Sequence, residues 1–400
     1  MSFQDLGLLP ALLSRCESLG FIEPTPIQKQ AIPIALEGAD MIACAETGTG
    51  KTAAFLLPIL QKLINEKSKG TSVLVLAPTR ELANQTEAAC RDLAPKSIRC
   101  VSIIGGAGYR HQAEALRRGA HIIVATPGRL MDFMQQGAID FSNLQTLVLD
   151  EADRMLDMGF LPAIKRIVKI LPVKRQTLLF SATMSPEIEK ITNSIMIEPQ
   201  YVDAGRRGKT AELIEQSVYP VAAASKTVLL LDLLEREKFE RVLVFTRTKR
   251  GADRLSHILE ARSHKSNRIH GDRSQSQREA ALLSFKNGKT RVLVATDVAA
   301  RGIDIDSVSH VINYDVPEVP EDYVHRIGRT GRAGNKGRAI TLLTSAEEHT
   351  MRAIERLTGQ PVERILLPDF GGTMPSAKSS AGKVSAGKKS FRSFRPRRSR

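Results

Sequence analysis

Short apolar runs recur along the whole chain and alternate with longer segments of helical patterning. Alternation of this kind is typical of an α/β fold, in which crossover helices connect the strands of a parallel sheet. The pattern predicts nine strands, at Met41–Ala43, Ser72–Ala77, His121–Ala125, Thr146–Asp150, Thr177–Phe180, Arg241–Thr246, Thr290–Thr296, Val308–Tyr314 and Ala339–Leu343.

The two halves of the chain carry related strand sequences. Val73–Val75 and Val242–Val244 both read Val-Leu-Val, and Val124–Thr126 and Val294–Thr296 both read Val-Ala-Thr. The pairs are separated by 169 and 170 residues, a near-constant offset that suggests two related domains. Short strands of this type also recur by chance in α/β proteins, so the echo only supports the division that the length of 400 residues favours.

The predicted organisation is two domains, a linker and a tail. We assign the first domain to 1–203 and the second to 213–370, joined by a polar, Gly-bearing linker at 204–212. Residues 371–400 hold nine basic and no acidic residues among Gly and Ser, a composition that predicts disorder. The formal net charge of +15 favours a polyanionic partner, and the tail supplies nine of these charges.

Composition argues against several classes of protein. The four cysteines form no CxxC pair and no His/Cys cluster at metal-ligand spacing, so neither a zinc site nor a disulfide framework is predicted. The beginning of the chain lacks a secretory pattern, and no apolar run approaches the ~20 residues of a membrane span. We predict a cytoplasmic monomer with reduced thiols and no membrane partner.

A phosphate-binding loop is predicted at 45–52, where Ala-Glu-Thr-Gly-Thr-Gly-Lys-Thr follows an apolar strand and precedes a helical run. Its glycines let backbone N–H groups face phosphates, and the helix N-terminus adds partial positive charge. Lys51 can reach the β and γ phosphates, and the Thr52 hydroxyl suits Mg²⁺. Ala45 stands where the general pattern has Gly. The nucleotide-binding candidates here are Thr47, Gly48, Thr49, Gly50, Lys51 and Thr52.

Two carboxylates follow an apolar strand about 100 residues later. Asp150 is a candidate Mg²⁺ ligand together with Thr52, and Glu151 is a candidate general base that orients and deprotonates the attacking water. An acidic pair at a strand end is more often a solvated turn than a catalytic site. The presence of a phosphate loop makes the catalytic interpretation the favoured one. The two motifs together predict Mg²⁺-assisted hydrolysis of a nucleoside triphosphate.

Four motifs taken together resemble the DEAD-box ATP-dependent RNA helicase family of superfamily 2: the phosphate loop, Asp150–Asp153, Ser181–Thr183 and His325–Arg332. The ordered motifs begin at Phe3 and cover most of the chain. The resemblance implies an α/β fold of two tandem RecA-like domains, each a mostly parallel sheet flanked by helices, with the disordered basic tail appended. Within the family the chain is similar to the bacterial RhlE-like branch.

The resemblance implies further roles around the nucleotide. Phe21 and Gln28 match the segment that reads adenine, so ATP is the expected nucleotide. Arg329 and Arg332 match arginine fingers that approach the γ-phosphate from the second domain, and Asp304 matches a ribose contact. The implied catalytic set is Lys51, Asp150, Glu151, Arg329 and Arg332. The implied interdomain coupling set is Asp153, Ser181, Thr183 and His325.

A single-stranded RNA site is also implied, made of Thr hydroxyls, Gly backbones and Arg side chains. Such groups bind phosphate and ribose oxygens without reading bases. The charge of the tail predicts additional binding of structured RNA, and ribosomal or RNA-decay assemblies are candidate partners. The RNA-binding candidates are Thr79, Arg80, Gly106, Thr126, Gly128, Arg129, Thr246, Arg247, Gly271, Arg278 and Thr296.

The predicted function is an RNA-dependent ATPase that locally unwinds short RNA duplexes, or remodels RNA–protein complexes, when ATP closes the two domains on single-stranded RNA. Two alternatives stay open: a DNA-directed translocase, and an ATP-gated RNA clamp or assembly scaffold with little turnover. A simple P-loop kinase is disfavoured because its chemistry does not require the second half of the chain.

Overall fold

The structure is a computed structural model of the chain. It describes residues 2–45, 48–66, 70–203, 214–236, 239–300, 308–331, 337–367 and 370. The predicted linker at 204–212 and the predicted tail at 371–400 lie outside these residues, as do three candidate site residues, Thr47, Asp304 and Arg332.

A seven-stranded sheet organises the described part of the first half. Its strands are β1 (Met41–Cys44), β2 (Val73–Leu76), β3 (Cys100–Ile103), β4 (Ile122–Ala125), β5 (Thr146–Leu149), β6 (Gln176–Ser181) and β7 (Gln200–Asp203). They lie in the order β3-β4-β2-β5-β6-β1-β7, and all neighbours are parallel. A 3-10 helix spans Gln4–Leu6. The α-helices are α1 (Pro10–Ser18), α2 (Pro26–Leu36), α3 (Lys51–Glu66), α4 (Arg80–Leu93), α5 (Tyr109–Arg117), α6 (Pro127–Gln135), α7 (Ala152–Asp157), α8 (Leu161–Ile170) and α9 (Pro186–Ile195).

A second seven-stranded sheet organises the described part of the second half. Its strands are β8 (Ile214–Pro220), β9 (Val242–Phe245), β10 (Ser266–Ile269), β11 (Val292–Ala295), β12 (His310–Asn313), β13 (Gly337–Leu343) and β14 (Glu363–Arg364). They lie in the order β10-β11-β9-β12-β13-β8-β14, again parallel. The α-helices are α10 (Lys226–Arg236), α11 (Lys249–Ala261), α12 (Gln275–Lys286), α13 (Asp297–Ala300), α14 (Pro320–Ile327) and α15 (Glu348–Thr358), and 3-10 helices span Ala223–Ser225 and Ser345–Glu347.

The two sheets have the same strand order, with β1 corresponding to β8, β2 to β9, and so on to β7 and β14. The two sequence echoes join strands at corresponding places: β2 and β9 are third in their sheets, and β4 and β11 are second. The predicted fold class, two α/β domains built on parallel sheets, is therefore confirmed.

Helices cover both faces of each sheet, and alternate side chains of a strand enter different cores. In β2, Val73 and Val75 pack into a cluster that includes Phe55, whereas Leu74 and Leu76 pack into the opposite cluster. Burying one such side chain stabilises the fold by about 1.5–3 kcal/mol. Burial on both faces explains why the central strands read as continuous apolar runs in the sequence.

Each of the nine predicted runs coincides with one strand, and five strands were missed: β3, β7, β8, β10 and β14. Four of these are edge strands, and β8 lies next to an edge. Edge strands need to bury less surface, so their sequences carry polar residues, such as Gln200-Tyr201-Val202-Asp203 in β7.

Parallel strands bring their carboxyl ends to one edge of each sheet, where an α/β fold normally places its ligands. The phosphate loop follows β1, Asp150 follows β5, and most RNA-binding candidates follow other strands of the two sheets. None of the four cysteines, which all lie in the described part of the chain, forms a disulfide bond. Among the described helices, none combines the length and apolar character needed to cross a bilayer.

Candidate functional site

The phosphate loop leads from β1 into α3. Gly48 and Gly50 have φ values of 85° and 92°, in the left-handed region that favours glycine. A Cβ atom on Gly50 would lie 2.5 Å from Gln28 Nε2, so a side chain there would clash. Lys51 begins α3, is only 6% exposed, and donates a hydrogen bond to the Ala45 carbonyl over 3.0 Å. Its charge is thereby directed into the loop.

The segment predicted to read adenine packs directly against this loop. Gln28 Oε1 accepts a hydrogen bond from the Thr25 N–H (3.0 Å), and Gln28 Nε2 donates to the Gly50 carbonyl (3.1 Å). The Phe21 ring stacks with the Phe3 ring at a centroid separation of 6.3 Å. Gln28 therefore braces the phosphate loop while retaining one N–H and one acceptor lone pair for a further partner.

The two carboxylates after β5 have opposite electrostatics. Burial raises the pKa of Asp150 to about 7, with the charge of Glu151 acting in the same direction against Lys51. For Glu151, burial acts to raise the pKa, but the positive charges of Arg154, Lys51 and Arg329 outweigh it and hold the pKa at about 2. Glu151 is thus an ionised carboxylate throughout the physiological range. Its φ of 52° is a strained conformation for a residue with a side chain.

The surroundings of Asp150 fit a hard divalent cation. Its Oδ1 atom is buried and has no hydrogen-bond partner among the described residues. Leaving a buried carboxylate oxygen unpaired is unfavourable, and Mg²⁺ prefers oxygen ligands. No group of three or more His, Cys, Asp or Glu side chains in the described part of the chain could hold a metal by itself.

Asp153 ties the acidic segment to the Ser181–Thr183 motif at the end of β6. Its Oδ2 atom accepts hydrogen bonds from the Ala182 N–H and the Thr183 N–H, both 3.0 Å, and from Thr183 Oγ1 at 3.2 Å. The Ser181 hydroxyl accepts from the Asp153 N–H (3.3 Å) and donates to the Thr183 carbonyl (2.7 Å). Two motifs about 30 residues apart therefore form one rigid unit.

Side chains of the second domain reach this unit. A small pocket is lined by Arg154 from α7 of the first domain and by His325, Arg326 and Arg329 from the second. Burial lowers the pKa of His325 to about 4, the charge of Arg154 acts in the same direction, and Asp153 opposes it. Arg329 is 3% exposed and lies close enough to lower the pKa of Glu151. The two domains are thus closed on each other around Glu151.

Arg326 anchors the helix that carries these residues. Its guanidinium forms a bidentate pair with Asp297 (2.5 and 2.7 Å) and donates to Asn313 Oδ1 and to the Asp315 carbonyl. It also lies over the Phe245 ring, 5.0 Å from the centroid. The sequence motif contained Arg326, but nothing local indicated that this arginine pairs with Asp297 of its own domain.

The RNA-binding candidates of the first domain follow β2, β3 and β4. The Arg80 guanidinium covers Gly106, because a Cβ there would lie 2.0 Å from Arg80 Nη1, and Gly106 has a φ of 74°. Thr79 caps α4 through a hydrogen bond from the Leu82 N–H, and Arg129 donates to the Ala107 carbonyl. Thr126 and Gly128 stand at the beginning of α6. All six candidates therefore lie on the side of the sheet where the strands have their carboxyl ends.

In the second domain, Thr246 and Thr296 are buried at the ends of β9 and β11, and Gly271 lies against the Lys249 side chain. Arg247 is 44% exposed at its side chain and is held by Glu347 at 3.0 Å. These residues occupy the corresponding edge of the second sheet.

Arg278 differs from the other candidates. It is 8% exposed, and its Nη2 atom lies 2.8 Å from Oε1 of Glu81, a residue of α4 in the first domain. Burial lowers the pKa of Arg278, and the charge of Glu81 opposes that shift. Asn84 also contacts Glu279 across the same boundary at 3.5 Å. Arg278 contacts the other domain here, and a role in RNA binding stays a prediction.

Arg154 and Glu81 are the cleft residues that the sequence reasoning missed. Arg154 Nη1 donates to Glu151 Oε2 over 2.6 Å, with both side chains almost fully buried. The only available signal for Arg154 was its position directly after the acidic motif. Glu81 directly follows the RNA-binding candidates Thr79 and Arg80, and its partner is 197 residues away in sequence.

Comparisons with known proteins agree with this geometry. Residues 25–191 match the family described as DEAD/DEAH box helicase, and residues 225–334 match the helicase conserved C-terminal domain. The chain is 45% identical over 368 residues to the DEAD-box ATP-dependent RNA helicase CshA of Geobacillus kaustophilus, covering 92% of this chain and 79% of that protein. It is also 45% identical to the ATP-dependent RNA helicase CshA of Listeria monocytogenes, covering 92% and 74%. The RhlE-like branch stays a prediction.

Solved structures also resemble the chain over most of its length. Saccharomyces cerevisiae Dbp5 bound to RNA and ADP BeF3 superposes with a TM-score of 0.83 at 32% identity, covering 92% of this chain and 96% of that one. Mss116p bound to ssRNA and AMP-PNP gives 0.83 at 30% identity, covering 91% and 78%. A DEAD box protein of Methanococcus jannaschii is 39% identical, covering 91% and 99%, yet has a TM-score of 0.54. The two structures with RNA bound thus have the higher TM-scores, although their sequence identity to this chain is lower. The chain belongs to the DEAD-box family of ATP-dependent RNA helicases.

Proposed function

We propose that this protein hydrolyses ATP in the cleft between its domains and uses closure of that cleft to open short RNA duplexes or to remodel RNA–protein complexes. The observation that carries the proposal is the convergence of Arg329 and His325, from the second domain, on Glu151 and Asp153 of the first. A catalytic centre completed from two domains exists only when they meet.

At the nucleotide, each group of the chain has a separate task. Lys51 and the N–H groups of the loop bind the phosphates, and Gln28 and Phe21 bind the adenine. The ionised Glu151 accepts a hydrogen bond from the attacking water and orients it in line with the γ-phosphate, while Arg154 fixes the carboxylate. Arg329, and Arg332 beside it in sequence, stabilise the charge that develops on the transferred phosphoryl group.

Asp150 and Thr52 would hold Mg²⁺ with the bound nucleotide. The ion supplies charge neutralisation at the phosphate oxygens. The unpartnered Oδ1 atom of Asp150 supports this assignment, because coordination of a cation would satisfy a buried oxygen that the protein leaves unpaired. Asp150 would be deprotonated at neutral pH when the cation is bound, since positive charge lowers a carboxyl pKa.

RNA is proposed to bind along the strand ends of both sheets, on Thr, Gly and Arg groups that contact phosphate and ribose. Both ligands then favour the closed arrangement, so each strengthens the binding of the other by a coupling free energy of ~1–3 kcal/mol. A single strand held across both domains is displaced from its complement, which opens a short duplex locally. Reopening after hydrolysis releases the strand.

Steady-state ATP hydrolysis tests the proposal most directly. We expect single-stranded RNA to stimulate turnover and the matched DNA strand to do so weakly, because recognition depends on 2′-hydroxyl groups. Glu151→Gln should bind ATP and RNA but lower kcat by on the order of 10²-fold or more. Equal stimulation by DNA would instead favour a DNA translocase. A single turnover followed by arrest would favour the ATP-gated clamp or scaffold.

Binding of structured RNA by the basic tail, association with ribosomal or RNA-decay assemblies, a monomeric state and a cytoplasmic location are further parts of the proposal. The nine positive charges of 371–400 support the first of these. Removal of the tail should flatten the dependence of RNA affinity on salt and leave basal ATP hydrolysis unchanged. An unchanged salt slope would remove this role.

A further inference from the structure

Tyr109 is an exposed aromatic residue beside the RNA-binding candidates of the first domain, and neither the family motifs nor the proposed function assigns it a role. It begins α5, directly after the loop that contains Gly105 and Gly106, and is 37% exposed. We propose that the free face of the Tyr109 ring is a stacking platform for one unpaired RNA base. This inference rests on the proposed function, because it extends the RNA track, by which we mean the row of RNA-binding candidates along the strand ends.

The Tyr109 ring is held in a fixed orientation. It stacks on the Phe133 ring of α6 with a centroid separation of 4.4 Å and an interplanar angle of 6°. Phe133 itself is fully buried. The Tyr109 hydroxyl hydrogen-bonds to Gln136 Oε1, which restrains rotation of the ring in its plane. Since one face lies on Phe133, the exposed area belongs to the opposite face and the ring edge.

The loop that leads to Tyr109 is braced from two sides. Gln112 pairs with the backbone of Ile104 through two hydrogen bonds of 2.8 and 3.0 Å and also donates to the Ala107 carbonyl. Arg129, an RNA-binding candidate, donates to the same carbonyl over 3.2 Å. The platform is therefore fixed relative to Gly106 and Arg129, two groups that we expect to contact the RNA backbone.

Position along the sheet makes the platform a continuation of the RNA track. The candidates of this domain follow β2, β4 and β3, and β3 is the edge strand of the sheet. Tyr109 comes after β3, so it lies at the outer end of the row. The next residue, Arg110, is exposed and adds positive charge for the adjoining phosphate. An aromatic face can stack on any base, so this contact adds affinity without base preference.

The chain contains no tryptophan, which makes a fluorescence test specific. Tyr109→Trp places a single tryptophan on the platform, and Tyr201→Trp is the matched control. Tyr201 is also exposed but lies in β7, at the opposite edge of the same sheet. Each variant is titrated with oligouridylate and a non-hydrolysable ATP analogue, using strands that carry one abasic site at successive positions.

We expect quenching of the Tyr109→Trp emission on RNA binding, with the quenching lost when the abasic site occupies one particular position. The Tyr201→Trp emission should stay unchanged. Quenching that is insensitive to every abasic position would overturn the proposal. Quenching that rises with protein concentration without RNA would also overturn it, because that result indicates self-association through this face.

Affinity supplies the second arm. Tyr109→Ala should raise the RNA concentration for half-maximal ATPase stimulation by roughly tenfold, whereas Tyr109→Phe, which keeps the ring, should match the parent. On the strand whose abasic site faces the platform, parent and Tyr109→Ala should agree. If Tyr109→Ala does not fold, the Tyr109→Trp scan still decides.

The two proposals fail differently. A parent protein that RNA does not stimulate contradicts the proposed function. A parent that RNA stimulates normally, with Tyr109→Ala equal to it on intact strands, contradicts only the stacking platform.

Discussion

Lys51 and Lys226 occupy corresponding places in two sheets of identical order, yet their surroundings differ. Lys51 begins α3, the first α-helix after β1, and Lys226 begins α10, the first α-helix after β8. Each lysine is almost fully buried. Lys51 donates to the neutral Ala45 carbonyl. Lys226 lies 2.8 Å from Glu347 and 3.5 Å from Asp315, the carboxylate two residues after β12. The first lysine is directed into a loop that can receive phosphates, and the second is neutralised by the protein.

The same contrast holds for the carboxylates. Asp150 has a buried oxygen without a partner, whereas Glu347 is saturated: it accepts from Lys226 and Thr344 on one oxygen and from Arg247 and the Val316 N–H on the other. At the predicted ligand site the protein leaves a carboxylate oxygen without a partner, whereas at the structural site the protein itself supplies hydrogen-bond donors to both oxygens. In the second domain, Glu347 thus holds both Lys226 and Arg247.

Loss of Lys51 should have the largest effect on activity. Lys51→Met removes the charge that faces the phosphates, so we expect kcat/KM for ATP with RNA present to fall by on the order of 10³-fold. Lys226→Met is the matched control and should keep kcat/KM per folded molecule near that of the parent. Equal losses in both variants would mean that the two lysines do not differ in function.

Loss of Lys226 should have the larger effect on stability. Lys226→Met leaves Glu347 buried without its main counter-charge, which should lower the free energy of unfolding of the second domain by about 3–5 kcal/mol in urea titrations. Adding Glu347→Gln should recover part of this loss, since the buried carboxylate charge that lost Lys226 is then removed as well. A loss below about 1 kcal/mol would show that the cluster is not structural.

The contact between Glu81 and Arg278 tests a third kind of site, one that joins the domains. Arg278→Met should weaken the mutual enhancement of ATP and RNA binding by about 1–3 kcal/mol, because closure would bury Glu81 unpaired. Glu81→Gln should weaken it similarly, and the double variant should show a non-additive loss. If Arg278 instead binds phosphate, its substitution would reduce the salt slope by about one while Glu81→Gln would have little effect.

Acidification should weaken closure of the two domains without disturbing the ion pair of Lys226 with Glu347 in the second domain. Opening the cleft exposes His325, whose pKa then rises from about 4 towards 6.5, so the open form binds the proton more readily. Closure is fully favoured above pH 6.5 and weakens as the pH falls towards 4, by roughly tenfold at pH 5.5 relative to pH 7.5. His325→Asn should abolish this change in the RNA concentration for half-maximal ATPase. A pH-independent parent would contradict the prediction.

In Glu347, burial acts to raise the pKa, but hydrogen bonds and charge from Lys226 outweigh it and lower the pKa. Glu347 therefore stays ionised over the same range. The stability it contributes is present above its ordinary pKa and is lost only in more acidic solution.

Local patterns in the sequence were enough to find the buried central strands and to predict the phosphate loop and the acidic pair, because each depends on neighbouring residues. They did not predict the ion pair of Lys226 with Glu347 or that of Glu81 with Arg278, whose partners are 121 and 197 residues apart in sequence. From the sequence alone, a charged residue of such a pair is expected to lie on the surface, because its partner is distant in sequence and comes close only in the folded protein. The edge strands β3 and β10 were missed for a related reason, since partial exposure removes the continuous apolar signal.

The most direct test of the account is RNA-stimulated ATP hydrolysis by Arg329→Ala, measured beside its equilibrium binding of ATP. We expect ATP binding within about threefold of the parent and RNA-stimulated kcat lower by on the order of 10³-fold, because only the closed cleft uses this arginine. Stimulated turnover at the parental rate would show that the second domain contributes no chemistry, and it would contradict the account.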